Sequence, residues 1–324
     1  MPSKIVYLFG AGATHAELLA TDSKVEEQNR GLLMGNVSRR VMDVAKLDRT
    51  FTRGIETVAG VTGAPNIELL ISLLENSRVS NWVNRTTLLK KLVEQDIKRI
   101  LTDTRLARFY LHKSLLFMHQ QPRVKDFEEL IGLISLNYDD VLDRAYRDVI
   151  ANAPHYCFSA GDNSTSLPLL KLHGSFNWRA VSILGRKRDV EIIPLGSSKT
   201  YLHSPYGAIW NRALYTLANC DTLRVIGCSL SPNDLHLIDL LFKAQLERER
   251  RFDIEIIASD MTGEQVRTNY GFFGESIKLL TEISIAKSVT GPENPFRTWL
   301  KYRADRYLGE PLMRGNKYLR KLLN

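Results

Sequence analysis

The sequence predicts a doubly wound, mainly parallel α/β sheet that is interrupted by an inserted helical module. Short apolar segments alternate with helix-length segments over the second half of the chain, and this alternation is typical of a parallel sheet with helical crossovers. A long stretch with helical periodicity separates the first apolar segment from the others. The 324 residues, 44% of them hydrophobic and 25% charged, are enough for a full domain and an additional module.

Five segments are predicted to be strands because each is short, apolar and ends at a glycine or a polar residue. They cover residues 4–10, 130–137, 167–174, 222–229 and 252–259. Helix-length segments at 139–150, 208–219 and 234–250 follow the second, third and fourth strands. The polar segment 159–166 is predicted to be a loop, and residues 185–189 a turn.

The pattern between residues 14 and 120 is helical. One segment, 65–76, starts at a proline, and apolar residues recur at helical spacing over 87–118. We therefore predict an α/β sheet domain formed by residues 1–14 and 122–290, a helical insertion or lid at 15–121, and a basic helical C-terminal segment at 291–324.

Composition narrows the class of protein. No apolar run reaches the roughly 20 residues that span a bilayer, and the first residues lack a signal-peptide pattern, so we expect a cytoplasmic protein. The three cysteines, Cys157, Cys220 and Cys228, are widely spaced, so we expect buried thiols and neither a disulfide framework nor a four-cysteine zinc site. No metal is predicted.

The formal net charge is +8, with basic runs at 248–251 and 314–322. Such an excess suits an anionic substrate, an acidic partner or nucleic acid, and a solvated basic surface is the plain alternative. In the C-terminal segment Tyr302, Tyr307 and Tyr318 interleave with Lys and Arg. Nucleic-acid binding is possible there, but an amphipathic helix that packs its aromatic rings on the core is favoured.

Candidate functional residues follow each strand, where ligands bind in open α/β sheets. Gly10, Ala11 and Gly12 follow the first strand, and their backbone N–H groups are expected to approach a phosphate at the start of a helix. Thr14 adds a hydroxyl that can donate to the same phosphate. Its presence favours a binding loop over a purely structural tight turn.

The second and third predicted strands end in an amide and an imidazole. Asn137 closes the second strand, and we place it in the cleft. Asp139 or Asp140 can instead cap the next helix. His173 follows the third strand beside a glycine, and a structural histidine is the alternative to a catalytic one.

The fourth and fifth strands supply further candidates. Gly227 and Ser229 follow the fourth strand and suit a phosphate, with Asp234 starting the next helix either as a ligand or as a cap. Asp260 follows the fifth strand, where a carboxylate can accept hydrogen bonds from ribose hydroxyls.

The motifs GAGAT (10–14), NYD (137–139), LHGS (172–175) and GCSL (227–230), in this order, resemble the sirtuin family, whose fold is Rossmann-like. The resemblance covers residues 1–14 and about 130–280. It implies that NAD binds to the glycine-rich loop through its diphosphate, that Asn137 and Asp139 line the nicotinamide pocket, and that His173 acts near the nicotinamide ribose. It also implies that Gly227 and Ser229 contact cofactor phosphate and ribose.

Two departures separate this sequence from sirtuins that deacetylate proteins. The paired CxxC zinc module is missing after the histidine, and Leu136 stands where those sirtuins have glutamine. The remaining pattern resembles bacterial sirtuin-like effectors that hydrolyse NAD in antiphage defence. That resemblance implies NAD as substrate, a homo-oligomer, and a protein partner such as a hexameric ATPase or helicase.

Two other functions remain open from sequence. One is a zinc-free deacylase or ADP-ribosyltransferase, which would use the same NAD site and need an acceptor. The other is a non-catalytic subunit that binds NAD or ADP-ribose within a larger ATPase-containing assembly.

Overall fold

The computed structural model describes residues 1–20, 31–45, 49–63, 66–76, 82–103, 110–159, 164–178, 181–183, 186–188, 193, 204–230, 234–258, 260–273, 276–279 and 294–323. The strands in these ranges are β1 (Ser3–Phe9), β2 (Glu128–Ser135), β3 (Leu169–Lys171), β4 (Val181–Ile183), β5 (Arg186–Arg188), β6 (Thr222–Ile226), β7 (Asp253–Ile257) and β8 (Ser276–Leu279).

The helices in the same ranges are α1 (Ala11–Leu19), α2 (Met34–Ala45), α3 (Arg49–Thr62), α4 (Ile67–Asn76), α5 (Trp82–Asp103), α6 (Leu111–Gln120), α7 (Pro122–Lys125), α8 (Val141–Ile150), α9 (Tyr206–Ala218), α10 (Leu235–Leu246), α11 (Asp260–Tyr270), α12 (Pro295–Tyr307) and α13 (Glu310–Gly315). A short 3₁₀ helix, Leu319–Leu322, follows α13.

The main sheet has the strand order β3-β2-β1-β6-β7-β8, and all neighbouring strands are parallel. Numbered among themselves, these strands have the order 3-2-1-4-5-6 that is typical of dinucleotide-binding sheets. The predicted Rossmann-like, doubly wound α/β class is confirmed, and each of the five predicted strand segments overlaps a strand of this sheet. The sixth strand, β8, was not predicted.

Beside the main sheet, β4 and β5 pair antiparallel as a separate hairpin. The predicted turn at 185–189 is therefore wrong for Arg186–Arg188, which form β5. Basic residues can form a strand here because a two-stranded antiparallel ribbon does not require the continuous apolar sequence of a buried parallel strand. The predicted loop at 159–166 lies partly outside the described residues.

The sheet is apolar along its strands because helices cover both faces. In β1, Val6 and Leu8 belong to the core shared with α9 and α10, while Ile5, Tyr7 and Phe9 belong to the core shared with α6, α8 and α12. Successive side chains of a strand point to opposite faces, so a strand buried on both sides shows no polar alternation.

The helical insertion has a core of its own, built from α2, α3, α4 and α5. Leu18 of α1 and Val141 of α8 are its buried contributions from the sheet side. The apolar residues at helical spacing over 87–118 lie in two helices, α5 and α6, and the second of these packs on the sheet. Packing therefore groups α6 with the sheet, although the sequence placed it inside the 15–121 module.

The basic C-terminal segment packs on the sheet through Phe296, Trp299 and Leu300 of α12. Tyr307 lies against Phe127, with ring centroids 5.9 Å apart, and Tyr318 lies 5.8 Å from Phe117. Tyr307, the last residue of α12, thus packs against the core as the amphipathic-helix prediction expects, whereas Tyr318 lies outside that helix. The three cysteines are free and buried, as predicted. In the described ranges, no helix combines the length and apolarity needed to cross a membrane.

A buried charged network ties α12 and α6 to the sheet. Arg224 of β6 donates two hydrogen bonds of 2.7 Å to Glu128 of β2, and Arg303 of α12 donates a third of 2.5 Å. Arg224 also donates to the Tyr7 hydroxyl at 3.0 Å, and that hydroxyl lies 2.8 Å from His119 Nε2. The Tyr7 hydroxyl accepts a hydrogen bond from Arg224, so it donates its own proton to Nε2 of His119. His119 is therefore neutral and accepts this hydrogen bond.

Burial, assisted by the charge of Arg224, lowers the pKa of His119 to about 3 from its ordinary 6.5. As the pH drops below 6.5, His119 becomes protonated in the unfolded chain but stays neutral in the folded chain. The free energy of unfolding therefore falls with the pH in this range. Between about pH 7 and about pH 5, we expect wild type to lose about 2 kcal/mol of unfolding free energy through His119 alone. His119→Gln should lack this loss.

The measurement is urea unfolding at the two pH values, with His236→Gln as the matched control. The lower pH stays above the range in which Glu128 contributes. Burial raises the pKa of Glu128, but the hydrogen bonds and charges of Arg224, then the charge of Arg303, outweigh it and lower this pKa to about 2. An equal loss in wild type and in His119→Gln would contradict the assignment.

Candidate functional site

A cavity of about 700 Å³ lies at the carboxyl edge of the sheet, between β1 and β6, where the strand order reverses. This switch point is where open α/β sheets bind ligands, and small-molecule and cofactor pockets commonly measure about 300–1,000 Å³. The loops after β1, β2, β3 and β6 converge on it. The predicted site residues that line it are Gly10, Ala11, Gly12, Thr14, Asn137, Asp139, His173, Gly227 and Ser229. Asp260 is the first residue of α11, and its side chain lies outside the described part of the chain.

The glycine-rich loop is in direct backbone contact with the loop after β6. Gly10 N donates to Ile226 O at 3.0 Å, and Gly12 N donates to Gly227 O at 2.9 Å. A Cβ at Gly10 would lie 2.4 Å from Gly227 O, so the close approach itself requires glycine. The amides of Gly10 and Gly12 were predicted to bind a phosphate, but in this structure they hold the two loops together. Ala13 N is likewise bonded, to Gly10 O at 3.0 Å.

Asn137, Thr14 and Asp139 form a chain of hydrogen bonds on one side of the cavity. Asn137 Nδ2 donates to Gly10 O at 3.0 Å and to Thr14 Oγ1 at 3.1 Å, and Thr14 Oγ1 donates to Asp139 Oδ2 at 2.9 Å. Thr14 has a single hydroxyl proton, so the predicted donation from Thr14 to a phosphate is replaced by this bond. Both Nδ2 protons of Asn137 have partners, which makes its Oδ1 the atom through which the amide can accept from a ligand or water.

Asp139 is buried and accepts hydrogen bonds from two neighbours, Thr14 and Val141. Its Oδ1 accepts at 3.0 Å from Val141 N, the first amide of α8, although Asp139 itself precedes the N-cap residue. Asp140 occupies the N-cap position without a side-chain cap and instead bonds Arg144 at 2.8 Å. Burial raises the pKa of Asp139, and the positive charge of Lys171 opposes that rise.

Lys171, at the end of β3, fixes the loop that carries Asn137 and Asp139, and sequence reasoning missed it. Its ammonium donates to Asp139 O, to Asp143 Oδ2 at 3.0 Å and to Ser175 Oγ at 2.7 Å. Ser175 in turn donates to Tyr138 O at 3.2 Å. The side chains of Lys171 and Asp143 are 1% and 0% exposed, so this is a fully buried ion pair. A lysine inside an otherwise apolar strand was the available signal.

His173 lies in the chain between Lys171 and Ser175, and its side chain is nearly buried. Its backbone carbonyl accepts from Ile193 N at 2.9 Å, and its ring lies 6.1 Å from the ring of Tyr138. Tyr138 is itself fixed by a 2.8 Å bond to Ile193 O. Gly174 has φ +86°, a conformation that favours glycine, and it turns the chain immediately after the imidazole.

The remaining walls come from the helical insertion and from the start of α12. The insertion residues that line the cavity are Leu32, Leu33, Met34, Val37, Asn66, Glu68 and Ile97. Asn294 lines it from α12 and donates to Ala16 O at 2.7 Å. Asp234 also lines it, at the N-cap of α10 and without a side-chain cap bond. The described lining thus has three carboxylates, Glu68, Asp139 and Asp234, two histidines, His15 and His173, and neither Lys nor Arg.

No family model and no curated protein matches this sequence. Among solved structures, the chain is similar to one described as "Structural Basis for the Mechanism and Regulation of Sir2 Enzymes". The two chains are 14% identical, the match covers 81% of this chain and 84% of the other, and the TM-score is 0.33. A likeness at this level leaves the function to be argued from the site itself.

Proposed function

We propose that this chain is an NAD glycohydrolase that cleaves the bond between nicotinamide and ribose to give nicotinamide and ADP-ribose. One observation carries the proposal. Residues from four separate motifs, Gly12, Asn137, His173 and Gly227 among them, line a single cavity at the switch point of a sheet whose strand order is typical of dinucleotide-binding folds. The volume of about 700 Å³ suits a ligand of this size.

The reaction places modest demands on the protein. Water attacks the anomeric carbon of the ribose, the carbon–nitrogen bond breaks, and its electron pair passes to the nicotinamide ring nitrogen, which becomes neutral. Because the leaving group starts as a cation, no strong general acid is required. The site must orient the ribose, stabilise an oxocarbenium-like transition state and accept one proton from water.

Three residues have assigned roles in this proposal. Asn137 accepts through Oδ1 and orients the attacking water or a ribose hydroxyl. His173 takes up the proton released from the water or from a ribose hydroxyl. Asp139 fixes Thr14, and through it the Asn137 amide, and contributes negative potential towards developing positive charge.

Asn137→Ala and His173→Ala are each expected to lower the rate of nicotinamide release by about 100-fold or more, because each removes a positioned group. The assay is chromatography of nicotinamide and ADP-ribose after incubation of the purified chain with NAD, without any acceptor. Asn219→Ala and His236→Ala are the matched controls and should keep wild-type activity. A variant at Asn137 or His173 with most of its activity would remove that residue from the mechanism.

We also propose that the chain acts as an antiphage effector that depletes NAD, and that oligomerisation or a protein partner such as a hexameric ATPase or helicase controls it. The helical insertion supports control of access, since it forms one wall of the cavity while keeping a core of its own. In the same assay, specific activity should rise with chain concentration or on addition of the partner. Constant activity of the dilute, isolated chain would contradict this control.

A further inference from the structure

One face of α1 runs along the cavity, and its residues are spaced by one helical turn. Ala11, His15 and Leu19 lie at i, i+4 and i+8, and all three line the cavity. Side chains on a helix lean towards its N-terminus, so His15 extends over the turn that contains Ala11, beside the glycine-rich loop. His15 is the member of this stripe whose side chain can form a hydrogen bond, and it is 7% exposed.

A diphosphate in this cavity meets few backbone donors from the loop that resembles a phosphate-binding loop. The amides of Gly10, Gly12 and Ala13 already donate to protein carbonyls. The N-terminus of α1 still provides a favourable dipole, but with these three amides already bonded fewer backbone donors are left for an anion. Side-chain donors therefore matter more here than the glycine pattern suggests.

The described lining offers two side chains that can carry positive charge, His15 and His173, against three carboxylates. They lie at different ends of the site, because His173 follows β3 while α1 follows β1, two strands away. Adjacent strands are about 4.8 Å apart, so these loops are separated by about 10 Å. A dinucleotide whose nicotinamide ribose lies at His173 therefore places its diphosphate near α1.

We propose that His15 binds the diphosphate of the dinucleotide, with an imidazole N–H donating to a non-bridging phosphate oxygen. This inference rests on the proposed NAD site but not on hydrolysis, so it is tested by binding. It makes His15 a residue that distinguishes phosphorylated from unphosphorylated ligands. The glycine-rich loop then shapes the site by its close contact with the loop after β6, and the histidine supplies the anion contact.

The experiment is calorimetric titration of the full chain with ADP-ribose and, separately, with adenosine, for wild type, His15→Leu and His15→Gln. We expect His15→Leu to weaken ADP-ribose binding by about 10- to 100-fold, the usual effect of losing a hydrogen bond to a charged group, and to leave adenosine binding unchanged. His15→Gln keeps an N–H donor and should recover most of the ADP-ribose affinity. Thermal unfolding of each variant verifies that it is folded.

The outcomes distinguish failure of the proposed His15 contact from failure of the proposed nucleotide site. Wild-type affinity of His15→Leu for ADP-ribose, or an equal loss for ADP-ribose and adenosine, would overturn the role of His15 and leave the proposed NAD site standing. If wild type binds neither ligand, with and without the candidate partner, the nucleotide site is overturned together with this inference. Failure of His15→Gln to recover affinity lost in His15→Leu also counts against the hydrogen bond.

Discussion

Lys171→Met is expected to lower the unfolding free energy by about 3–5 kcal/mol, because it leaves the carboxylate of Asp143 buried without its cation. Both side chains of the pair are shielded from water, at 1% and 0% exposure. The substitution also removes the donor to Ser175 Oγ and to Asp139 O. The 2.5 Å bond from Tyr156 to Asp143 remains, but a neutral hydroxyl does not replace an ammonium.

The double variant Lys171→Met with Asp143→Leu is expected to recover much of that loss, since a buried ion pair replaced by apolar side chains of similar volume is often neutral for stability. Its NAD cleavage should nevertheless stay low, because the Asp139 carbonyl has lost its anchor. Restored activity in a folded double variant would show that Lys171 does not position the Asn137–Asp139 loop.

Urea unfolding measures both variants, and Lys243→Met is the matched control. Lys243 pairs with Asp239 on the surface of α10, with side chains 57% and 53% exposed. Exposed pairs of this kind contribute less than about 1 kcal/mol, so the control should unfold close to wild type. A small effect at Lys171, of the size found at Lys243, would be inconsistent with a buried pair.

The sequence was sufficient to predict the sheet because the information lies in local pattern and chain order. Buried parallel strands are continuously apolar, and the polar residues that follow them meet at one edge whatever the loops between them do. This is why Asn137, His173 and Gly227 could be placed in one cleft. The strand β8 escaped prediction because its four residues include Lys278 and offer no apolar run.

The roles within the site were harder to predict because they depend on which groups already have partners. Thr14 looked like a phosphate donor, yet its proton is bonded to Asp139, 125 residues away. Gly12 looked like a free amide, yet it bonds Gly227. Lys171 was not singled out at all, because its partners come from three separate segments of the chain. Residue type and position relative to strand ends are local properties, whereas hydrogen-bond partners are set by the tertiary fold.

The contact between the two glycine loops leads to the second large effect, at Gly227. This residue has φ +61°, and a Cβ there would lie 2.2 Å from Ala13 N and 2.3 Å from Gly12 C. Both neighbours are backbone atoms, so no side-chain rotation relieves the clash. We expect Gly227→Ala to lower the unfolding free energy by at least about 3 kcal/mol, from overpacking and from the strained backbone together.

The matched control is Gly60→Ala, in α3, where nothing lies within 4 Å of the added Cβ. A glycine in a helix is about 0.5–1 kcal/mol less favourable than alanine, so this variant should be neutral or more stable than wild type. If Gly227→Ala unfolds like wild type, the two loops do not approach as closely as described. If it is destabilised but folded, it should also bind ADP-ribose more weakly, because separating the loops breaks the bond from Gly12 to Gly227 and displaces the start of α1 on which His15 lies.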